Sequence, residues 1–229
     1  MEELLNKLNP MQKKAVLSTE GALLLLAGAG SGKTRVLTHR IAYLINKGVR
    51  PFNILAITFT NKAAKEMKER VHSICETGNQ VLVSTFHSLC VRILRRDISR
   101  IGYTNKFTIY DAEDAERIIR DIMKEYKIND ELLKPKEVIG TISRQKDKLI
   151  TANVYAQNIG SDFRKKLISE IYIAYENRLK TNNALDFDDL IFKTVQLLAN
   201  NTDVLEYYQE RFKYIMVDEY QDTSTSQYM

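Results

Sequence analysis

The sequence has 229 residues, of which 44% are hydrophobic and 28% are charged. This composition fits one large or two small folded domains, and with only 3 prolines and 9 glycines it excludes a disordered or collagen-like chain. The net charge is +5, and residues 182–229 hold nine acidic but three basic side chains, so the first 181 residues are the basic part. A basic body suits a polyanion such as nucleic acid, but ordinary solvated lysines explain the charge equally well.

Two cysteines, Cys75 and Cys90, cannot form a disulfide scaffold and favour a reducing compartment. The chain opens Met1-Glu2-Glu3, without the basic start of a signal peptide. Its longest apolar run, Ala22 to Ala27, is far shorter than the ~20 residues that span a bilayer. We therefore expect a cytoplasmic globular protein with no membrane partner.

The first third alternates helical periodicity with short continuous apolar runs, which are typical of buried parallel strands. The predicted elements are a helix opened by Asn9 and Pro10 and ending at Val16, a strand at Ala22–Leu26, a helix at Thr34–Asn46, a strand at Asn53–Thr58, a helix at Asn61–Ile74, a strand at Gln80–Ser84 and a helix at Phe86–Arg96. This order predicts an α/β fold with a doubly wound parallel sheet flanked by helices.

From Asp111 to Asn182 the pattern is helical, with helices predicted after Asp111, near Pro135 and at Phe163–Leu179. A further helix (Asp186–Ala199) precedes the apolar run Tyr214–Val217, which returns to a buried strand. We therefore predict one domain formed by residues 1–100 and 200–229, with residues 101–199 as an all-helical inserted subdomain.

A glycine-rich segment connects the first predicted strand to the next helix, and it reads Ala27-Gly28-Ala29-Gly30-Ser31-Gly32-Lys33-Thr34. Glycines let backbone N–H groups converge on phosphates, and a helix N-terminus adds partial positive charge. Lys33 is then expected to contact the β- and γ-phosphates, and Thr34 to bind Mg²⁺. The strict pattern has glycine at the position of Ala27, and a glycine-rich turn without a ligand is the alternative.

Two adjacent acids, Asp218 and Glu219, follow the strand Tyr214–Val217. Ligands of open α/β sheets bind at the carboxyl ends of the strands, so this pair is expected to meet the glycine-rich segment around one triphosphate. Asp218 would hold the metal and Glu219 would act as general base. A solvated acidic loop is the alternative.

Six segments in order resemble the motifs of superfamily 1 DNA helicases of the UvrD/Rep/PcrA type. They are Leu8–Gln12, the phosphate loop with Arg35, Thr58–Ala64, Ser84–Ser88, Leu185–Leu190 and Asp218-Glu219-Tyr220-Gln221-Asp222-Thr223. The resemblance implies a RecA-like P-loop domain, the cofactors ATP and Mg²⁺, and 3′→5′ movement along one DNA strand.

The resemblance also assigns residues to roles. The catalytic residues would be Lys33, Asp218 and Glu219, and the metal ligands Thr34 and Asp218. The nucleotide would be bound by Gln12, at the adenine edge, and by Ala27, Gly28, Ala29, Gly30, Ser31, Gly32, Lys33, Thr34 and Arg35. DNA would be bound by Thr58, Phe59, Thr60, Asn61, Thr85, Phe86 and His87, although core packing is an alternative for the two phenylalanines. Four arginines, Arg92, Arg95, Arg96 and Arg100, would add longer-range attraction or form a solvated face.

Members of that family continue for several hundred residues, with a second motor domain that completes the ATP site. We therefore expect this chain to be an N-terminal part that binds ATP·Mg²⁺ and single-stranded DNA weakly and unwinds nothing by itself, with duplex junctions as a further partner of the parent. Two alternatives stay open: the motor part of a recombination-type helicase–nuclease, and a non-catalytic module that binds DNA or protein. A generic P-loop kinase would leave the phenylalanine–threonine motifs unexplained.

Overall fold

The computed structural model describes residues 2–28 and 30–229 and contains two compact units. One unit combines the residues up to Ser88 with Leu205–Asp222, and the other combines Leu89–Val204 with Thr223–Met229. The chain therefore leaves the first unit, builds most of the second, and returns with one strand. The assignment of domains to residues 1–100 with 200–229, and to 101–199, stays a prediction.

The helices of the described chain are α1 (Glu2–Asn6), α2 (Pro10–Leu17), α3 (Lys33–Asn46), α4 (Asn61–Ile74), α5 (Phe86–Asp97), α6 (Ala112–Glu125), α7 (Pro135–Asp147), α8 (Ala152–Gln157), α9 (Phe163–Thr181), α10 (Phe187–Asn200), α11 (Thr202–Arg211) and α12 (Thr225–Tyr228). The strands are β1 (Ile54–Thr58), β2 (Leu82–Thr85), β3 (Thr108–Ile109), β4 (Ala184–Leu185) and β5 (Tyr214–Val217). The predicted parallel sheet flanked by helices is confirmed.

The sheet of the first unit has the order β2-β1-β5, and both pairings are parallel. Ala56 in the central strand lies opposite Val83 on one side and Met216 on the other. All five residues of β1 are buried, because neighbouring strands cover both of its edges and apolar side chains of α3 and α4 pack on the sheet. Three strand ends, at Thr58, Thr85 and Val217, therefore point to the same edge of the sheet.

The strand predicted at Ala22–Leu26 is wrong. This segment has no regular secondary structure, and Leu24 and Leu26 are 62% and 87% exposed. Leu25 alone packs against the cluster that includes Val16 and Val36. A continuous apolar run becomes a buried strand only where other elements cover it, and within the described residues β5 pairs with β1 and not with this segment, so Ile215 is 59% exposed.

The second unit is helical apart from the two-residue parallel pair of β3 and β4. Helices α6, α8, α9 and α10 begin at short polar side chains that cap them, as at Asp111, whose carboxylate accepts hydrogen bonds from the N–H groups of Glu113 and Asp114. Apolar faces of α6, α7 and α9 form its core, in which Ile119, Val138 and Tyr172 are completely buried.

An ion cluster lies inside this unit. Lys146 is fully buried, and its Nζ lies 2.8 Å from Glu176, 2.7 Å from Asp186 and 2.9 Å from Asp189. Lys193 also pairs with Glu176, at 2.8 Å. Three carboxylates thus face two ammonium groups, and burial, with a contribution from the charge of Asp186, raises the pKa of Asp189 to about 7.

Asp189→Asn should change how stability depends on pH. Because the folded-state pKa of about 7 lies above the ordinary 3.8, Asp189 binds a proton on folding, and this contribution is lost as the pH rises through 7. Between about pH 5.5 and 8 the wild-type free energy of unfolding should fall by about 2 kcal/mol more than that of the variant, measured by urea unfolding. Asp121→Asn, at an exposed position of α6, should keep the wild-type dependence; parallel curves for wild type and Asp189→Asn would contradict the assignment.

Leu26→Ala should leave stability within about 0.5 kcal/mol of wild type, because the side chain is 87% exposed. Leu55→Ala is the matched control in a true buried strand, since Leu55 is 2% exposed, and it should cost about 2–5 kcal/mol. Chemical denaturation of both variants tests the correction, and a cost for Leu26→Ala as large as that for Leu55→Ala would show that residues 22–26 do form a buried strand.

Candidate functional site

The glycine-rich loop enters α3 through a left-handed turn. Gly32 has φ 87° and is the N-cap residue of α3, and within the described residues no side chain caps this helix end. This left-handed backbone favours glycine, whereas a Cβ atom here would meet only the end of the flexible Gln12 side chain, at 2.9 Å. The first N–H groups of α3 are therefore available to an anion. Ala29, which the sequence assigned to this loop, lies outside the described residues.

Ser31 closes the loop internally. Its hydroxyl donates to the carbonyl oxygen of Gly28 at 2.6 Å, and its N–H donates to the same oxygen at 3.3 Å. The Gly28 carbonyl is therefore turned toward the loop's own residues, while Gly30 takes a left-handed φ of 74°. The result is a tight turn of the kind that phosphate-binding loops use.

The structure brings the loop and the acidic pair together although 184 residues separate Thr34 from Asp218. The Thr34 hydroxyl donates to Asp218 Oδ2 at 3.2 Å. The Lys33 Nζ atom lies 3.7 Å from Glu219 Oε2 and donates to the carbonyl oxygen of Ala27 at 3.2 Å. The backbone N–H of Asp218 donates to the Ile57 carbonyl at 2.9 Å, which extends the β1–β5 pairing to the acid itself.

Asp218 and Glu219 differ in their surroundings. Asp218 is partly buried, and burial raises its pKa, an effect that the hydrogen bond from Thr34 opposes and the charge of Glu219 reinforces. Glu219 is partly exposed and has a left-handed φ of 54°, which is rare for a residue with a side chain. It begins a short turn in which the N–H of Asp222 donates to the Glu219 carbonyl at 3.0 Å. Strained backbone of this kind concentrates at functional sites.

Two further residues assigned to the nucleotide are engaged with the protein itself. Gln12 completes a capping box with Asn9, and its Nε2 donates to the Ser31 carbonyl at 3.0 Å. Gln12 therefore connects the start of α2 to the phosphate loop, and it lines a cavity of about 390 Å³ together with Met11, Leu25 and Lys33. Arg35 donates to the Lys7 carbonyl at 2.7 Å.

The residues assigned to DNA lie at the carboxyl ends of β1 and β2 or directly after them. The rings of Phe59 and Phe86 are both partly buried and pack against each other, with centroids 5.6 Å apart. The pair is thus neither buried core nor fully open surface. Thr60 caps α4 through the Ala63 N–H, and Asn61 is exposed.

The remaining DNA assignments are more enclosed. The hydroxyl of Thr58 donates to the Thr60 carbonyl, and the hydroxyl of Thr85 bonds that of Ser88 at 2.9 Å. Thr58 and Thr85 are buried and His87 is half-buried, so these residues support the strand ends more than they present polar groups to solvent.

Three of the four arginines that could provide long-range attraction have partners in the second unit, and one of them is Arg96, which lies 3.6 Å from Asp97. Arg95 donates to the Asn105 carbonyl at 2.7 Å and lies 3.8 Å from the ring centre of Phe107. Arg100 pairs with Asp203 at 2.7 Å. Arg92 is exposed. These contacts make Arg95 and Arg100 structural as well as charged.

Comparison with known proteins gives the family: the UvrD/REP helicase N-terminal domain matches residues 8–229. The chain belongs to this family. It is 52% identical over 229 residues to the ATP-dependent DNA helicase PcrA of Bacillus subtilis strain 168, covering 99% of the chain and 31% of that relative. It is also 52% identical over 230 residues to PcrA of Staphylococcus aureus strain Mu50, again covering 31% of the relative. The family resemblance drawn from the six motifs is confirmed, and the chain spans about a third of these relatives.

Sequence reasoning about the family motifs did not single out Gln221, although this residue stands within one of them. The structure places its side-chain amide against Glu219 Oε2. No spacing rule predicts this contact, because it depends on the turn that Glu219 starts. Across the described helices, none is both long and apolar enough to cross a membrane.

Proposed function

We propose that the chain is the ATP- and Mg²⁺-binding N-terminal motor part of an ATP-dependent 3′→5′ DNA helicase, and that it binds single-stranded DNA. The observation that carries this proposal is the meeting of Lys33 and Thr34 with Asp218 and Glu219 beyond the carboxyl ends of a parallel sheet. Membership in the UvrD/REP family and the identity of the PcrA relatives as ATP-dependent DNA helicases support it.

The donor set beside the loop fits Mg²⁺. The hydroxyl oxygen of Thr34 and the carboxylate oxygen of Asp218 are hard ligands that lie 3.2 Å apart. Adjacent oxygens around an octahedral Mg²⁺ lie about 3 Å apart, given bonds of about 2.0–2.1 Å. When bound, Mg²⁺ would neutralise charge on the nucleotide phosphates.

The side chains and backbone N–H groups of the site would then have separate roles. Lys33 would bind the β- and γ-phosphates, and the first N–H groups of α3 would donate to them. Asp218 and Thr34 would hold the metal. Glu219 would accept a proton on its carboxylate from the attacking water. Gln12 would keep the loop in place and border the adenine, since it already bonds Ser31.

The aromatic pair would bind bases at the neighbouring strand ends. Phe59 and Phe86 lie where β1 and β2 end, and β1 is hydrogen-bonded to β5, the strand that carries the acidic pair. Base stacking on such rings is worth ~1–3 kcal/mol per base and tolerates any sequence. We infer that the relatives' remaining length includes a second motor domain that completes the ATP site, so that this chain by itself hydrolyses little.

Lys33→Ala should weaken binding of a fluorescent ATP analogue in Mg²⁺ by about tenfold or more, because the phosphates lose a charge-assisted donor. Fluorescence titration measures this loss. Lys47→Ala, at the other end of α3 and exposed, is the matched control and should bind as wild type does. Equal affinities of wild type and Lys33→Ala for the ATP analogue would contradict the phosphate-loop assignment.

Phe86→Ala should weaken binding of a labelled oligothymidine about 5- to 100-fold, since one stacking platform is lost. Fluorescence anisotropy at low salt measures the affinity, which should also fall as salt rises. Phe52→Ala is the control, because this 46% exposed ring precedes β1 and so lies toward the amino ends of the strands. The DNA assignment fails if both variants behave alike.

A further inference from the structure

The side chain of Gln221 is bonded to the acid that we propose as general base. Its Nε2 atom donates to Glu219 Oε2 at 2.5 Å. Gln221 belongs to the turn of residues Tyr220–Asp222 that follows Glu219 directly. The contact is therefore local in sequence, and it fixes which way the Glu219 carboxylate points.

The same oxygen also faces Lys33. Glu219 Oε2 lies 3.7 Å from Lys33 Nζ, so one carboxylate oxygen is shared by an amide donor and an ammonium group. Lys33 Nζ also donates to the carbonyl oxygen of Ala27, at 3.2 Å. Both partners of Lys33 are oxygen acceptors, which are the kind of partner that a phosphate would provide.

The Glu219 side chain needs a contact that restricts its orientation, because it is 44% exposed. A glutamate free in solvent samples many rotamers, and holding it in one of them costs conformational entropy. An exposed ion pair at 3.7 Å is too weak to hold such a side chain alone. The bond from Gln221 and the left-handed backbone of Glu219 together restrict it.

We propose that Gln221 is a positioning residue, which holds the Glu219 carboxylate over the phosphate loop. There the carboxylate pairs with Lys33 until a nucleotide phosphate replaces it as the partner of Lys33. The inference rests on the proposed function, because it takes the ligand of Lys33 to be a nucleotide. Once Lys33 has turned to the phosphates, the bond from Gln221 still keeps the carboxylate beside them.

The test compares the affinity of a fluorescent ADP analogue, in Mg²⁺, for wild type and for three variants of the full chain: Glu219→Gln, Gln221→Ala and the double variant. Glu219→Gln should bind about 1.5- to 5-fold more tightly, because an anion that competes for Lys33 is gone. Gln221→Ala should tighten binding in the same range by releasing the carboxylate. In the Glu219→Gln background, Gln221→Ala should change nothing.

A merely structural role for Gln221 would give a different result. It would change the affinity by the same factor in both backgrounds, or change binding of an AMP analogue, which does not reach Lys33, as much as that of ADP. Either outcome overturns the proposal, and so does unchanged ADP affinity in Gln221→Ala.

Controls separate this inference from the proposed function. Gln209→Ala, at an exposed glutamine of α11, should bind as wild type does. If Lys33→Ala leaves ADP affinity unaltered, the proposed function fails. If Lys33→Ala weakens binding and Gln221→Ala has no effect, only the positioning role fails. Unfolding curves establish that each variant is folded, and Gln221→Asn, whose shorter amide cannot keep the bond, replaces the alanine variant if that one is unfolded.

Discussion

The backbone pairing of β1 with β5 is the interaction on which the site depends. The chain leaves the first unit near Ser88 and returns at Leu205, and β5 then lies parallel to β1 with Ala56 opposite Met216. This register places the N–H of Asp218 on the Ile57 carbonyl. A shift of one residue would turn the Asp218 side chain to the other face of the sheet, away from Thr34, because side chains alternate along a strand. The burial of β1 therefore fixes the geometry of a site to which β1 itself contributes no charged group.

The buried cluster around Lys146 and the exposed pair of Lys33 with Glu219 show how burial decides whether an ionic contact can be broken easily. Lys146 is fully buried among three carboxylates, and replacing Lys146 would leave these carboxylates with the single ammonium group of Lys193 in a nonpolar interior. Lys33 faces Glu219 with both side chains partly exposed to water, so their separation is nearly free of desolvation cost. Similar residue types thus serve two purposes. The buried cluster holds helices α7, α9 and α10 together, whereas the exposed pair can separate at little electrostatic cost.

The sequence predicts the parts of this structure that rest on local signals. The capping residues Asn9 and Asp111 and the periodicity of α4 set helix ends that the structure reproduces closely. The apolar run at Ala22–Leu26 misleads because apolarity indicates burial only where other elements supply the cover. The bond from Gln12 to Ser31 and the contacts of Lys146 escape prediction because they join side chains to distant parts of the fold. The loop and the acidic pair are recognisable as motifs, but their separation of about 3 Å is a product of tertiary packing.

Glu219 shows why the end of β5 has this sequence. Its left-handed backbone would be relieved by glycine, but glycine would remove the carboxylate that faces Lys33. An acidic residue at this position therefore costs backbone strain of order 1–2 kcal/mol. The turn that follows places the side-chain amide of Gln221 against the Glu219 carboxylate. Because β1 is hydrogen-bonded to both neighbours, this turn lies one strand pairing away from Phe59 and two away from Phe86. The ends of three adjacent hydrogen-bonded strands thus carry both the acidic pair and the aromatic pair.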